Sequence, residues 1–222
     1  MNYYTSVIVI IILALITLSV LILENDRIPH KKKRLFIATN ILIAVAAIAE
    51  CGGVHINGKE NIPKGLLAAV KATDYTLTPM TGGALIALME KEDAKKRLLL
   101  WLFIGNAVFQ IISAFNGWMI VIDNQNHYVH GLLYPIYMAF YVFIVLSLLV
   151  KMILYGKSFR KQNRISLYAI ITLIFFGICL QEFWGNFRIA YLALTFGSAF
   201  LFIHYSEFSQ LRLDDEIAKQ QS

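Results

Sequence analysis

Charged and strongly polar side chains inside apolar runs are the residues of this sequence that could do chemistry. Lys71 and Asp74 stand i and i+3 in one such run, so a helix puts them on one face, where they can pair and lower the cost of burial. Each ionisable side chain at bilayer depth costs roughly 2.5–3.5 kcal/mol on insertion scales, which makes it a candidate for function as well as for structure. At similar depth along the chain fall Glu50, Asn116, Asp123, Gln181, Glu182 and Arg188. We take Glu50, Lys71, Asp74, Asn116, Asp123, Glu182 and Arg188 as the candidate ligand-binding set. The ligand expected from them is a small molecule of unknown identity. Pro79 follows in the same run as Lys71 and Asp74, and it cannot donate a backbone hydrogen bond to the carbonyl of Tyr75. A kink is expected there, placed to transmit a change at the polar cluster.

Other chemistries find no support in the residue pattern. No HExxH, serine elbow, membrane aspartate pair or glycine-rich phosphate loop is present, so no catalytic residue is assigned. The last apolar run, 187–205, has no lysine for a retinal Schiff base. His127 and His130 form a His-x-x-His spacing, with His55 elsewhere, but no ligand quartet is fixed, and neither a metal nor a cofactor is assigned. Cys51 and Cys179 form no CxxC pair and no disulfide framework.

The elements that must position these residues follow from composition. Of 222 residues, 58% are hydrophobic and 15% charged, far from the roughly 45–50% and 25% of a soluble domain. Apolar stretches long enough to cross about 30 Å of hydrocarbon run over 3–23, 35–54, 65–88, 98–122 and 132–154, with shorter ones at 166–184 and 187–205. The Gly185-Asn186 turn separates the last two. The expectation is an all-α polytopic membrane protein with seven transmembrane helices, a multi-pass resident of the cell membrane whose partner is the lipid bilayer. The first run lacks a preceding basic segment and exceeds a signal peptide's apolar core, so it reads as retained.

Orientation follows from the basic residues. Arg27, Lys31, Lys32, Lys33 and Arg34 follow the first span; Lys91, Lys95, Lys96 and Arg97 follow the third; and Lys151, Lys157, Arg160, Lys161 and Arg164 follow the fifth. The alternate connections hold Lys59, Lys64 and Arg188. This bias puts the N-terminus outside and the C-terminus inside. It also accounts for the net charge of +6 without nucleic acid.

Two regions are expected: 1–205 as the transmembrane sensor domain and 206–222 as a cytoplasmic helical connector. After Gly197 neither Gly nor Pro occurs, and Phe208, Leu211 and Ala218 continue an apolar stripe at helical spacing. Phe208 and Leu211 are therefore assigned, with Pro79, to signal transmission, through a homodimer formed by the C-terminal helix.

The order of features resembles the seven-helix membrane sensor region that precedes GGDEF diguanylate cyclase domains, and sometimes histidine kinases, in Gram-positive bacteria. The similar stretches are KKKRLF at 31–36, Ala-Ile-Ala-Glu at 47–50, Lys-Ala-Thr-Asp-Tyr at 71–75 with Pro79, the loop 122–128 leading to Gly131 and Tyr134, and HYSEFSQLRLDD at 204–215. The resemblance implies ligand sensing coupled to an output domain. No GGDEF motif, phosphoacceptor histidine box or ATP-binding lid occurs within the 222 residues, so the chain itself is read as no enzyme. The alternative expectation is a small transporter or channel whose polar residues line a midplane pathway. The absence of matching proline positions in two halves weighs against an internally repeated transporter.

Overall fold

The computed structural model describes residues 3–90, 93–156, 161–183 and 189–220. Among the described residues there are seven helices: α1 (Tyr3–Glu24), α2 (His30–Ile56), α3 (Lys64–Met89), α4 (Asp93–Asn116), α5 (Tyr134–Gly156), α6 (Lys161–Phe183) and α7 (Ala190–Gln220). A two-stranded hairpin, β1 (Ile120–Ile122) and β2 (Tyr128–His130), stands between α4 and α5. Among the described residues four helices, α1, α2, α4 and α5, are long and apolar enough to cross a membrane. Their exposed faces carry large apolar side chains, among them Ile10, Leu13 and Ile16 on α1 and Trp101 and Phe115 on α4. A patch of this kind is unfavourable in water and compatible with a lipid surround.

Prolines set two of the helix starts. Pro29 and Pro63 occupy the N-cap positions of α2 and α3 with φ of −57° and −60°. Their carbonyls accept the N–H groups of Lys32 and Lys33, and of Leu66 and Leu67. α3 is the hub of the bundle, packing against α2, α4, α5, α7 and β1. Close packing on α3 depends on small residues: a Cβ on Gly83 would fall 2.0 Å from the Cζ of Phe103, and one on Gly82 3.0 Å from Ile144. α1 packs on α2 and α7, and α6 on α5 and α7.

The hairpin corrects the fourth span expected over 98–122. α4 ends at Asn116 because Gly117 takes up φ +65° and its N–H bonds back to the Ser113 carbonyl. The apolar Ile120-Val121-Ile122 run then forms a strand, with Ile120 opposite His130, Val121 opposite Val129 and Ile122 opposite Tyr128. The fold is thus all-α with one short hairpin added at the end of the bundle that holds the α2–α3 and α4–α5 connections.

At the opposite end, lysines close the open carbonyl ends of helices. Lys33 Nζ donates to the Leu23 carbonyl of α1 at 2.8 Å, and Lys32 Nζ to the Leu88 carbonyl of α3 at 2.8 Å. Lys151 pairs with the buried Glu90 just past α3. α7 continues without interruption for 31 residues, about 46 Å at 1.5 Å per residue. The turn between α1 and α2 holds its continuation. Asn25 Nδ2 donates to Ser206 Oγ at 2.8 Å, Arg27 to Gln210 at 2.6 Å, and Ser209 Oγ to the Arg27 carbonyl at 2.6 Å. The side chains of Phe208 and Leu211 lie outside the described residues, as do Arg188 and the Gly185-Asn186 turn.

Candidate functional site

A polar cavity of about 340 Å³ lies among α2, α3, α5, α6, α7 and the hairpin, near the end that carries the hairpin. It sits at the lower end of the roughly 300–1,000 Å³ typical of small-molecule sites. Glu50, Lys71 and Asp74 line it. All three are buried, with exposures of 5%, 8% and 5%. The helical spacing of Lys71 and Asp74 gives an ion pair with Nζ 3.6 Å from Oδ2. Lys71 lies against α2 where that helix has no side chain: a Cβ on Gly53 would stand 3.1 Å from both its Cε and its Nζ.

Glu50 is held from two sides. Tyr4 on α1 donates its hydroxyl to Oε2 at 2.7 Å, and Gln181 on α6 donates Nε2 to Oε1 at 2.9 Å. Gln181 also accepts the N–H of Ala190, so the same amide ties the start of α7 to the carboxylate. Thr78 Oγ1 bonds the Asp74 carbonyl at 2.8 Å, with the Asp74 carboxylate Oδ1 at 3.2 Å, and shares a 2.7 Å hydrogen bond with the hydroxyl of Tyr191 on α7. A short polar path therefore leads from the Lys71–Asp74 pair, across α3, to α7.

The remaining wall is aromatic. Tyr75 contacts Tyr137 with ring centroids 4.8 Å apart and Tyr128 at 5.8 Å, while Tyr137 and Tyr141 lie parallel one helical turn apart on α5. The Lys71 ammonium sits 5.3 Å from the Tyr128 ring and 5.9 Å from the Tyr75 ring, within cation–π range. His130 stacks face to face on Tyr134 at 3.7 Å. Burial, followed by the nearby Lys71 charge, pushes the His130 imidazolium pKa below its usual value. Burial likewise raises the Tyr128 phenol above its usual range, which keeps it protonated.

The hairpin covers this site because the α2–α3 turn holds it there. The Tyr128 N–H donates to Asn57 Oδ1 at 2.7 Å, and Gly58 N–H to the Asn126 carbonyl at 2.8 Å. Asn126, buried at φ +59°, sends its amide to the carbonyls of Lys59 and Ile62 at 2.6 and 3.0 Å. Asparagine tolerates this left-handed conformation better than most residues.

Three of the candidate ligand residues thus share one cavity, and two others stand elsewhere. Asn116 is exposed at the last position of α4. Asp123 belongs to the hairpin turn, where Oδ1 accepts the N–H groups of Gln125 and His127 at 2.9 and 2.8 Å. The Glu182 side chain and Arg188 lie outside the described residues. Gln181, grouped with the site by its depth in the sequence, does line it. Tyr4, Asn57, Tyr137, Tyr141 and Tyr191 were not singled out, since a tyrosine in an apolar run looks like core until its hydroxyl finds a polar partner.

Among the described residues no group of three His, Cys, Asp or Glu side chains gathers to hold a metal ion. His127 turns toward Asp123 and the Gly58 backbone, whereas His130 turns toward Tyr134. Comparison of the chain with protein-family models, curated proteins and solved structures finds no match.

Proposed function

We propose that this protein is a bacterial membrane signal-sensing module. Seven helices cross the cell membrane with the N-terminus outside and the C-terminus inside, and a small ligand occupies the cavity around Lys71 and Asp74. Binding there shifts α7, whose continuation forms a homodimeric connector to a cytoplasmic output domain such as a diguanylate cyclase. The observation that carries this reading is the Thr78–Tyr191 hydrogen bond, which joins the cavity wall to α7, at 31 residues the longest of the described helices. Signalling requires that ligand bind two states of the protein differently. A hydrogen bond between the cavity and a moving helix supplies such a difference.

A pathway for transport has less support. Beyond the polar chamber α3 turns apolar and buries Leu85, Ile86, Leu88 and Met89. The discriminating experiment reconstitutes the full chain in proteoliposomes and in nanodiscs with a small-metabolite library. The sensor reading predicts a ligand that raises thermal stability without crossing the bilayer, and loses its effect on inter-chain cross-linking along α7 when Tyr191 is replaced by Phe. Flux that depends on Asp74, with residues 206–222 dispensable, would contradict it and establish a transporter.

A further inference from the structure

The cavity's charges specify more than polarity. Lys71 is nine-tenths buried, yet its ammonium makes no hydrogen bond among the described residues: the nearest carboxylate oxygen, on Asp74, lies at 3.6 Å, outside hydrogen-bond range. It otherwise faces the Tyr75 and Tyr128 rings, which offer a π-cloud but no lone pair. An ammonium has three N–H groups to place, and an unfilled buried donor is costly. The head group lines the cavity, so whatever fills that space, water or a ligand, supplies its acceptors.

That occupant cannot be a simple anion. Any oxygen on Lys71 Nζ lies beside the Asp74 carboxylate and in a chamber that Glu50 also lines, and like charges in a desolvated site repel strongly. A simple cation meets the converse problem at Lys71. The side-by-side donor and acceptor match a molecule with both signs close together, its carboxylate on Lys71 and its ammonium toward Asp74. The tyrosine faces of α5 then pack against the ammonium and the adjoining apolar part.

We infer that the cavity binds a compact zwitterion, an amino acid or a close analogue, oriented antiparallel to the Lys71–Asp74 pair. This rests on the reading of the cavity as the ligand site. The test uses the full chain in nanodiscs and follows thermal unfolding by tryptophan fluorescence. Three probes are compared: a mixture of proteinogenic amino acids, the matching N-acetyl amino acids, which lack the ammonium, and the matching amino acid amides, which lack the carboxylate. The expected result is a rise in Tm with the first mixture alone, and affinity for its active component reduced about tenfold or more in Lys71→Gln and in Asp74→Asn.

The comparison of probes on the unaltered protein stands even where a variant folds poorly. An equal rise with the N-acetyl or amide mixture, or silence of all amino acids beside a response to another metabolite, overturns the zwitterion and leaves the cavity as a ligand site. A zwitterion response untouched in both variants places binding elsewhere and overturns both.

Discussion

Asn106 on α4 donates its side-chain amide to the backbone carbonyl of Tyr75 at 3.2 Å, the acceptor that Pro79 leaves without its helical partner. A proline in a helix frees the carbonyl four residues earlier, and in an apolar surround that carbonyl must be met by something else. Asn106 is itself buried and accepts from Gln110 at 3.2 Å. The Pro79 step of α3, one turn beyond the Lys71–Asp74 pair, is thus braced from α4.

This brace predicts coupling between the two positions. Asn106→Ala should cost about 1 kcal/mol, the usual net worth of such a bond. In a Pro79→Ala background the helical N–H is restored, so the same change should cost clearly less. Equilibrium unfolding in mixed micelles gives the double-mutant cycle, and additive losses would show that the two residues act independently.

Gly53 should be intolerant for a reason particular to the site. A methyl group there stands 3.1 Å from the Lys71 ammonium, while α2 itself keeps its helical backbone. Gly53→Ala, which displaces the Lys71 head group by a few tenths of an ångström, is expected to weaken ligand response less than Lys71→Gln does, while leaving helix content by circular dichroism unchanged. Retained response would show that the position of Lys71 is not critical.

Asp123 and Asn126 should behave as structural residues. Asn126→Ala removes two amide hydrogen bonds to the α2–α3 turn and strains φ +59°, so a loss of about 1–3 kcal/mol is expected. Asp123→Ala should lower stability through the turn N–H groups it satisfies, with ligand affinity unchanged. A selective loss of affinity in Asp123→Ala would restore it to the binding set.

Acid should destabilise the fold through His130. Its pKa is lowered in the folded protein, so the unfolded chain, near 6.5, binds the proton more readily. The stability this group contributes is therefore present above about pH 6.5 and is lost as pH falls toward the folded value. Tm measured from pH 7.5 to 5 should fall less steeply in His130→Asn. Lys71 on α3, with Tyr128 and Tyr134 around the ring, are the groups that face this imidazole. An identical slope in the variant would assign the acid sensitivity to other residues.

Much of the helical framework was legible because the chain alternates long apolar runs with basic clusters, and a backbone among apolar side chains must bond to itself. The Lys71–Asp74 pair was legible from i,i+3 spacing, and the freed Tyr75 carbonyl from Pro79. The hairpin was not, because Ile120-Val121-Ile122 continues the apolar run of α4 and only Gly117 marks the break. Depth along the sequence grouped Asn116 and Asp123 with Lys71, yet depth does not fix the direction a side chain faces. The tyrosines on α5 and α7 gave no separate signal, since their rings fit an apolar pattern and their role depends on which helices meet.

The central claim is that the cavity controls α7. Its most direct measurement is the distance between spin labels at His30 and Glu207, both exposed, in a full chain with Cys51 and Cys179 replaced by serine and held in nanodiscs. A metabolite that raises Tm should shift this distance, and the shift should shrink in Tyr191→Phe and require about tenfold more ligand, or beyond, in Lys71→Gln. An unchanged distance at saturating ligand would contradict the account.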